Sequence, residues 1–166
     1  MSFMRHSLYY CIMIYYFLLL SFLGIIVAVF IYDLKHLVIP NLLIILLLVV
    51  GLASLFIHIV NFAQYLTGLF IGFGLFFLLY LLFPKGIGFG DVKLAGAIGL
   101  FLGFKLTILA ILLSFFSGAI VGLLLIALGK KTMKDPIPFG PFLALGAIAS
   151  LFFGEYIIDW YMGLFI

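Results

Sequence analysis

Between Tyr9 and Trp160 the chain is a succession of long apolar runs, and nothing constrains its fold more than their length. The first extends from about Tyr9 to Tyr32, the second from about Leu42 to Ile59, and the third from about Tyr65 to Phe83. A fourth begins at Asp91, a fifth covers Leu106 to Leu128, and the last starts near Pro141 and reaches Trp160. Roughly 20 apolar residues suffice for a helix to cross the hydrocarbon core of a bilayer, and a helix satisfies every backbone N–H and C=O there internally. The expectation is an all-α polytopic membrane protein with six transmembrane helices in a lipid bilayer. With 8% of residues charged and 69% hydrophobic, a soluble globular domain is excluded. No polar linker or charge block divides the chain, so residues 1–166 are expected to form a single transmembrane domain. The net charge of +3 is scattered over short loops, which makes it an orientation signal and not a nucleic-acid-binding patch.

The breaks between the runs are where chemistry can be placed. The first run gives way to Asp33-Leu34-Lys35-His36-Leu37-Val38-Ile39-Pro40-Asn41, and Pro40, which lacks an N–H, suits the start of the next helix. The fourth run is interrupted by Lys105, leaving the thirteen residues Val92 to Phe104, a helix covering roughly 20 Å of a core about 30 Å thick. The difference can be made up if the preceding glycine loop, Gly86-Ile87-Gly88-Phe89-Gly90, dips below the membrane surface with protein or water satisfying its backbone. Three glycines at alternate positions permit positive φ and close approach of another chain, so the loop can admit an extended peptide. Asp91 then sits at the floor of a wet pocket. A carboxylate at that depth is costly, turns toward protein or water, and marks a functional site.

Small residues four apart recur along the runs: Gly24/Ala28, Gly68/Gly72, Ala95/Gly99/Gly103, Ser114/Gly118/Gly122 and Gly146/Ser150/Gly154. This spacing lets membrane helices pack at close range. On the fourth run the small face begins at Asp91, which predicts that this carboxylate points into the bundle. Cys11, the single cysteine, lies in the first run, where a packing role is expected and no internal disulfide or multi-cysteine metal site is available.

Six crossings put both termini on one face of the membrane. The opposite face, made by the first, third and fifth loops, carries Lys35, Lys85, Lys93, Lys130, Lys131 and Lys134, against Arg5 and Lys105 on the side of the termini. Lys and Arg are enriched in cytoplasmic loops, so the odd-numbered loops are expected in the cytoplasm and both termini outside the plasma (inner) membrane. Tyr9, Tyr10, Tyr156, Trp160 and Tyr161 then make an aromatic belt at the outer interface. The same topology brings Asp33, ending the first run, and Asp91, beginning the fourth, to one side at similar depth. Two carboxyls close together in a low-dielectric pocket do not both ionise easily, so one keeps a proton while its partner is charged. Such a pair can take a proton from water while polarising a carbonyl, which is what splitting a peptide bond requires, with no metal or organic cofactor.

Plainer roles remain open for the same residues. Asp91 can be a helix cap after a glycine loop, and Asp33 an interfacial residue paired with Lys35 or His36. Lys93 can pair with an aspartate, contact substrate or anchor the interface. His36 is either a plain loop residue or a group that tunes Asp33. His58 and Asn61 fall near the outer face, and Asp135, among Lys130, Lys131 and Lys134, reads as a solvated loop residue. Glu155 and Asp159 lie at the outer end of the last run, on the order of a membrane thickness from the other two aspartates. A small proton-coupled transporter using Asp33 and Asp91 is the competing class, although the internal repeat common in transporters is not detectable.

Asp91 within Gly88-Phe89-Gly90-Asp91, followed by Val92-Lys93-Leu94, resembles the GxGD signature of the type IV prepilin peptidases, a family of membrane aspartyl proteases. Asp33 with Ile39-Pro40-Asn41 is similar to that family's first catalytic aspartate and the turn after it. Pro138-Phe139-Gly140-Pro141-Phe142-Leu143-Ala144-Leu145-Gly146 is similar to the start of its last helix. The three motifs come in the family's order, and the resemblance covers the chain from about residue 25 to the end. It implies a GxGD-type membrane fold with Asp33 and Asp91 as the catalytic pair, and with Gly88, Gly90, Lys93, Pro40 and Asn41 binding substrate or shaping the loops. It further implies cleavage of a short basic leader from type IV prepilin-like or pseudopilin precursors, next to the substrate's hydrophobic helix, at the cytoplasmic membrane face. Many bacterial members also carry a cytoplasmic domain with paired CxxC motifs that binds zinc and accompanies N-methylation. With one cysteine, in a span, this chain is expected to be a minimal peptidase core without cofactor or metal.

Overall fold

A computed structural model of the chain describes residues 2–57, 59–84, 86–132, 135 and 137–164, and the expectations placed on His58, Lys85 and Lys134 lie outside the described residues. Among the described residues there are six α-helices: α1 (Ser2–His36), α2 (Asn41–Ile57), α3 (Phe62–Leu82), α4 (Phe89–Leu102), α5 (Phe104–Ala127) and α6 (Gly140–Gly163). A short 3₁₀ turn, Ile59–Asn61, joins α2 to α3. The helices α1, α3, α5 and α6 are each long and apolar enough to cross a membrane, and α2, with 17 residues, is apolar but shorter. The fold is all-α and polytopic, as the run lengths predict.

The short helix α4 has 14 residues, roughly 21 Å of length, and it occupies the centre. It packs against α2, α3, α5 and α6, while α1 packs on α2 and α6, α3 on α5, and α5 on α6. From Asp91 to Leu102 every residue except Lys93 is buried. An apolar helix with no polar face belongs in an interior, and the two polar side chains of α4 are confined to its first turn and a half.

Glycine sets how closely the helices approach. Gly68 and Gly72 of α3 face the backbone of Ala95, Gly99 and Gly103, and a Cβ on Gly68, Gly72 or Gly99 would run into main-chain atoms of the opposite helix. Between α5 and α6, Gly146 lies against Ser114 and Ala110, and the Ser150 hydroxyl donates to the Leu106 carbonyl at 2.7 Å. The pair Gly24/Ala28 corrects the expectation from spacing, because Gly24 is exposed with nothing within 4 Å of a Cβ there. Instead α1 packs through the large residues Leu18, Phe22, Ile26 and Val29, with the Phe22 ring stacked on Phe101 of α4 at 4.0 Å. Cys11 is exposed on α1 and does not fill the core, a second correction.

Several helix ends differ from the expected ones, each for a local reason. The first helix continues past Tyr32 through Asp33 to His36, and its last turn holds Lys35 and His36, cations suited to the negative end of a helix. It stops at Leu37, in the left-handed region at φ 54°, whose N–H donates to the Asp33 carbonyl at 2.9 Å. At the start of α2 the Pro40 carbonyl accepts from Leu43 and Ile44 at 3.1 and 3.4 Å, which puts Pro40 immediately before the helix. Gln64 falls inside α3 instead of in the preceding break. The fourth helix begins at Phe89, two residues before Asp91, and is broken by Gly103 at φ 77° and not by Lys105. Positive φ is absent from Gly86, Gly88 and Gly90; among the described residues only Gly103 and Gly129 are glycines of that kind.

Candidate active site

Where α1 ends and α4 and α6 begin, the α1–α2, α3–α4 and α5–α6 connections surround a cavity of about 480 Å³. Among the described residues its wall carries three charged side chains, Asp33, Asp91 and Lys93, together with Asn41, Gly88 and Gly90. Pro40 is not on the wall and acts from behind it through the turn into α2.

Asp33 continues the buried stripe of α1: it follows Leu18, Phe22, Ile26 and Val29 at helical spacing and is 4% exposed. The start of α6 lies against its carboxylate at Gly140, the first residue of that helix. That approach requires glycine, since a Cβ on Gly140 would lie 2.6 Å from Asp33 Oδ2 and 3.2 Å from Ile39 Cδ1. Pro141 follows in the first turn of α6, where its missing N–H is not needed.

Asp91 is the third residue of α4 and 8% exposed. Its Oδ2 accepts from the Gly88 N–H at 3.1 Å, the reach of an N3 carboxylate back to the start of its own helix. The capping role and the place at the cavity are therefore one arrangement: the cap fixes the side chain at the wall. Gly88 leaves room for that carboxylate, with a Cβ position 3.3 Å from Oδ2, and Gly90 leaves room for Ile39, 3.3 Å away. Ile39, buried, is wedged between the starts of α4 and α6 and sets their separation. The N–H groups at a helix start have no partner within the helix, and here the one on Gly88 gives the buried Asp91 carboxylate a partner. Asp33 and Asp91 line the same cavity.

Lys93 Nζ donates to Asn41 Oδ1 at 3.0 Å and sits 5.0 Å from the centre of the Phe89 ring, a bond that ties the start of α4 to the start of α2. His36 packs against Tyr32 with the rings tilted at 36° and their centres 4.4 Å apart, on the exposed side of α1. Glu155 and Asp159 are exposed toward the other end of α6, the nearer one 15 residues (155 − 140) and roughly 22 Å beyond Gly140. Asp135 closes a turn, its carboxyl held below the usual carboxylate range by the Thr132 N–H at 2.6 Å and the Thr132 hydroxyl at 2.9 Å. Among the described residues no group of three His, Cys, Asp or Glu is placed to hold a metal ion. Gly140 and Ile39 are the positions not singled out by residue type. The run Phe139-Gly140-Pro141 signals a helix start, but not what that start approaches.

The model of the type IV leader peptidase family matches residues 17–123, more than half of the chain and a stretch that contains both cavity aspartates. This chain belongs to the type IV leader peptidase family. Among its relatives, a prepilin leader peptidase/N-methyltransferase of Legionella pneumophila is 34% identical over 137 residues, 79% of this chain and 48% of that protein. A protein of the same description from Bacillus subtilis is 30% identical over 142 residues, 85% of this chain and 57% of that protein. One from Burkholderia pseudomallei is 46% identical over 70 residues, 42% of this chain and 23% of that protein. The chain thus spans about half the length of the first two relatives. No solved structure matches it at a significant level. Membership in the leader peptidase family agrees with the resemblance carried by Gly88-Phe89-Gly90-Asp91 and leaves the transporter reading without support.

Proposed function

We propose that this chain is a membrane aspartyl endopeptidase that removes the short basic leader from type IV prepilin-like or pseudopilin precursors at the cytoplasmic face of the plasma (inner) membrane. The observation that carries the reading is that Asp33, from the end of α1, and Asp91, from the start of α4, are both buried at the wall of one cavity. The substrate class is taken from the relatives, which are described as prepilin leader peptidases. Lys35 at the end of α1, Lys93 in the first turns of α4, and Lys130 and Lys131 after α5 support a cytoplasmic mouth for the cavity, with both termini outside.

In this mechanism the pair holds one proton. The ionised carboxylate takes a proton from water as the water oxygen bonds to the scissile carbonyl carbon, and the protonated carboxyl gives its proton to the carbonyl oxygen. When the C–N bond breaks, the first carboxyl passes its proton to the leaving amine and the second recovers one from the intermediate. The pair ends with one proton, as it began. Gly88, Gly90, Asn41 and Lys93 shape or contact the substrate's path, and Pro40 fixes the turn behind it. The proposal concerns leader removal.

Co-expression with a pilin-type precursor, followed on a gel, tests the reading. Wild type is expected to shorten the precursor, and Asp33→Asn and Asp91→Asn are each expected to reduce cleavage by about 10²–10⁴-fold while still inserting. An uncut precursor with wild type, or full cleavage by either variant, would sink it.

A further inference from the structure

A precursor whose leader lies in the cavity between Asp33 and Asp91 also carries a hydrophobic helix, and that helix has to run from the cavity into lipid. The outer helices pack on one another in the order α2, α1, α6, α5, α3, which closes the wall around α4 on every side but one. There α2 and α3 each pack on α4 and make no comparable contact with each other. The opening is a groove of about 350 Å³, with Ile45 and Leu48 of α2 on one side, Leu69 and Phe73 of α3 on the other, and Gly96 and Ala97 of α4 as its floor. Along α2 it runs from Asn41 to Leu48, roughly 10 Å or two helical turns. It is continuous with the cavity of the aspartates, because Asn41 and Lys93 line both, and their 3.0 Å hydrogen bond forms the sill between them.

We infer that this groove receives the first turns of the substrate's hydrophobic helix and delivers the scissile bond over the Asn41–Lys93 sill to Asp33 and Asp91; the inference rests on the peptidase reading above. The junction with the cavity distinguishes this occupant from a lipid chain or a second copy of the protein, neither of which needs access to the aspartates.

Crosslinking with a bifunctional thiol reagent tests the docking. Single cysteines at Leu48, Leu69 or Leu112 are placed in a Cys11→Ser, Asp91→Asn chain and paired in membranes with a precursor carrying one cysteine in the first turns of its helix. Leu112 lies on the exposed side of α5 and serves as the control. Crosslinks are expected from positions 48 and 69 and not from 112. In chains with both aspartates, Ile45→Trp is expected to raise KM for the precursor about tenfold with little change in kcat, and Leu112→Trp to leave processing unchanged. Absence of crosslinks at both groove positions, crosslinks confined to position 112, or an unchanged KM in Ile45→Trp would overturn the docking and leave the peptidase reading standing. A wild-type chain that cuts no precursor removes the peptidase reading, and the proposed occupant falls with it.

Discussion

Gly140 is the position at which one missing side chain has the largest chemical consequence. Its bare backbone lets the start of α6 lie against the Asp33 carboxylate, with Ile39 filling the space toward Gly90. In Gly140→Ala the added carbon lies 2.6 Å from Asp33 Oδ2, so either the carboxylate turns or α6 retreats. A misplacement of about 1 Å at a reacting group costs on the order of 10²-fold in rate, whereas overpacking costs roughly 1–3 kcal/mol of stability. Processing by Gly140→Ala is therefore expected to fall about a hundredfold in a protein that still inserts and folds. A rate within a few-fold of wild type would show that Asp33 does not depend on this approach. The inward aim of Asp33 is decided by the fold, which buries the face of α1 that carries Leu18, Phe22, Ile26, Val29 and Asp33, on a helix that is apolar all round in sequence. The role of Gly140 is not legible in the sequence either, since a glycine before a proline marks a helix start whatever lies opposite it.

At the scale of the helices, glycines at the same spacing do different things. Gly99 meets the Gly68 carbonyl and the Leu69 nitrogen, main-chain atoms that cannot rotate away, so Gly99→Ala must push α3 and α4 apart. The expected cost is about 1–3 kcal/mol or more, read as a lower melting temperature in detergent. Gly24→Ala and Gly74→Ala have nothing within 4 Å and gain helix propensity of up to about 1 kcal/mol, so their melting temperatures are expected to equal or exceed that of wild type. If Gly24→Ala proved as damaging as Gly99→Ala, spacing alone and not the observed contact would set the cost. The existence of each helix follows from its apolar run, but the ends do not. Lys105 looks like the break after α4, yet a lysine stem can lie along apolar surface while its charge reaches water. The actual break is Gly103, whose φ of 77° no run-length argument contains.

For the whole molecule, the arrangement that matters is a short buried helix, α4, held by longer ones, with its first turn at the same end as the end of α1 and the start of α6. The proposed orientation puts that end in the cytoplasm. In a Cys11→Ser chain, an impermeant thiol reagent added to cells with an intact inner membrane is expected to label Asn61→Cys, and to label Lys130→Cys only after that membrane is permeabilised. The reverse pattern would turn the cavity outward, away from a cytoplasmic leader.

The sequence by itself determined that the chain is helical and crosses a membrane, and that Asp33 and Asp91 fall at one end of the bundle, because a backbone in lipid has to bond within its own helix and hydropathy reports that requirement run by run. Only the tertiary structure decided that α4 is central, which glycines touch, what the Asp91 carboxylate bonds to, and that the wall is open between α2 and α3. Lipid solvates every apolar face about equally, so the choice of partner faces rests on close packing between helices far apart in the chain, which no local pattern encodes.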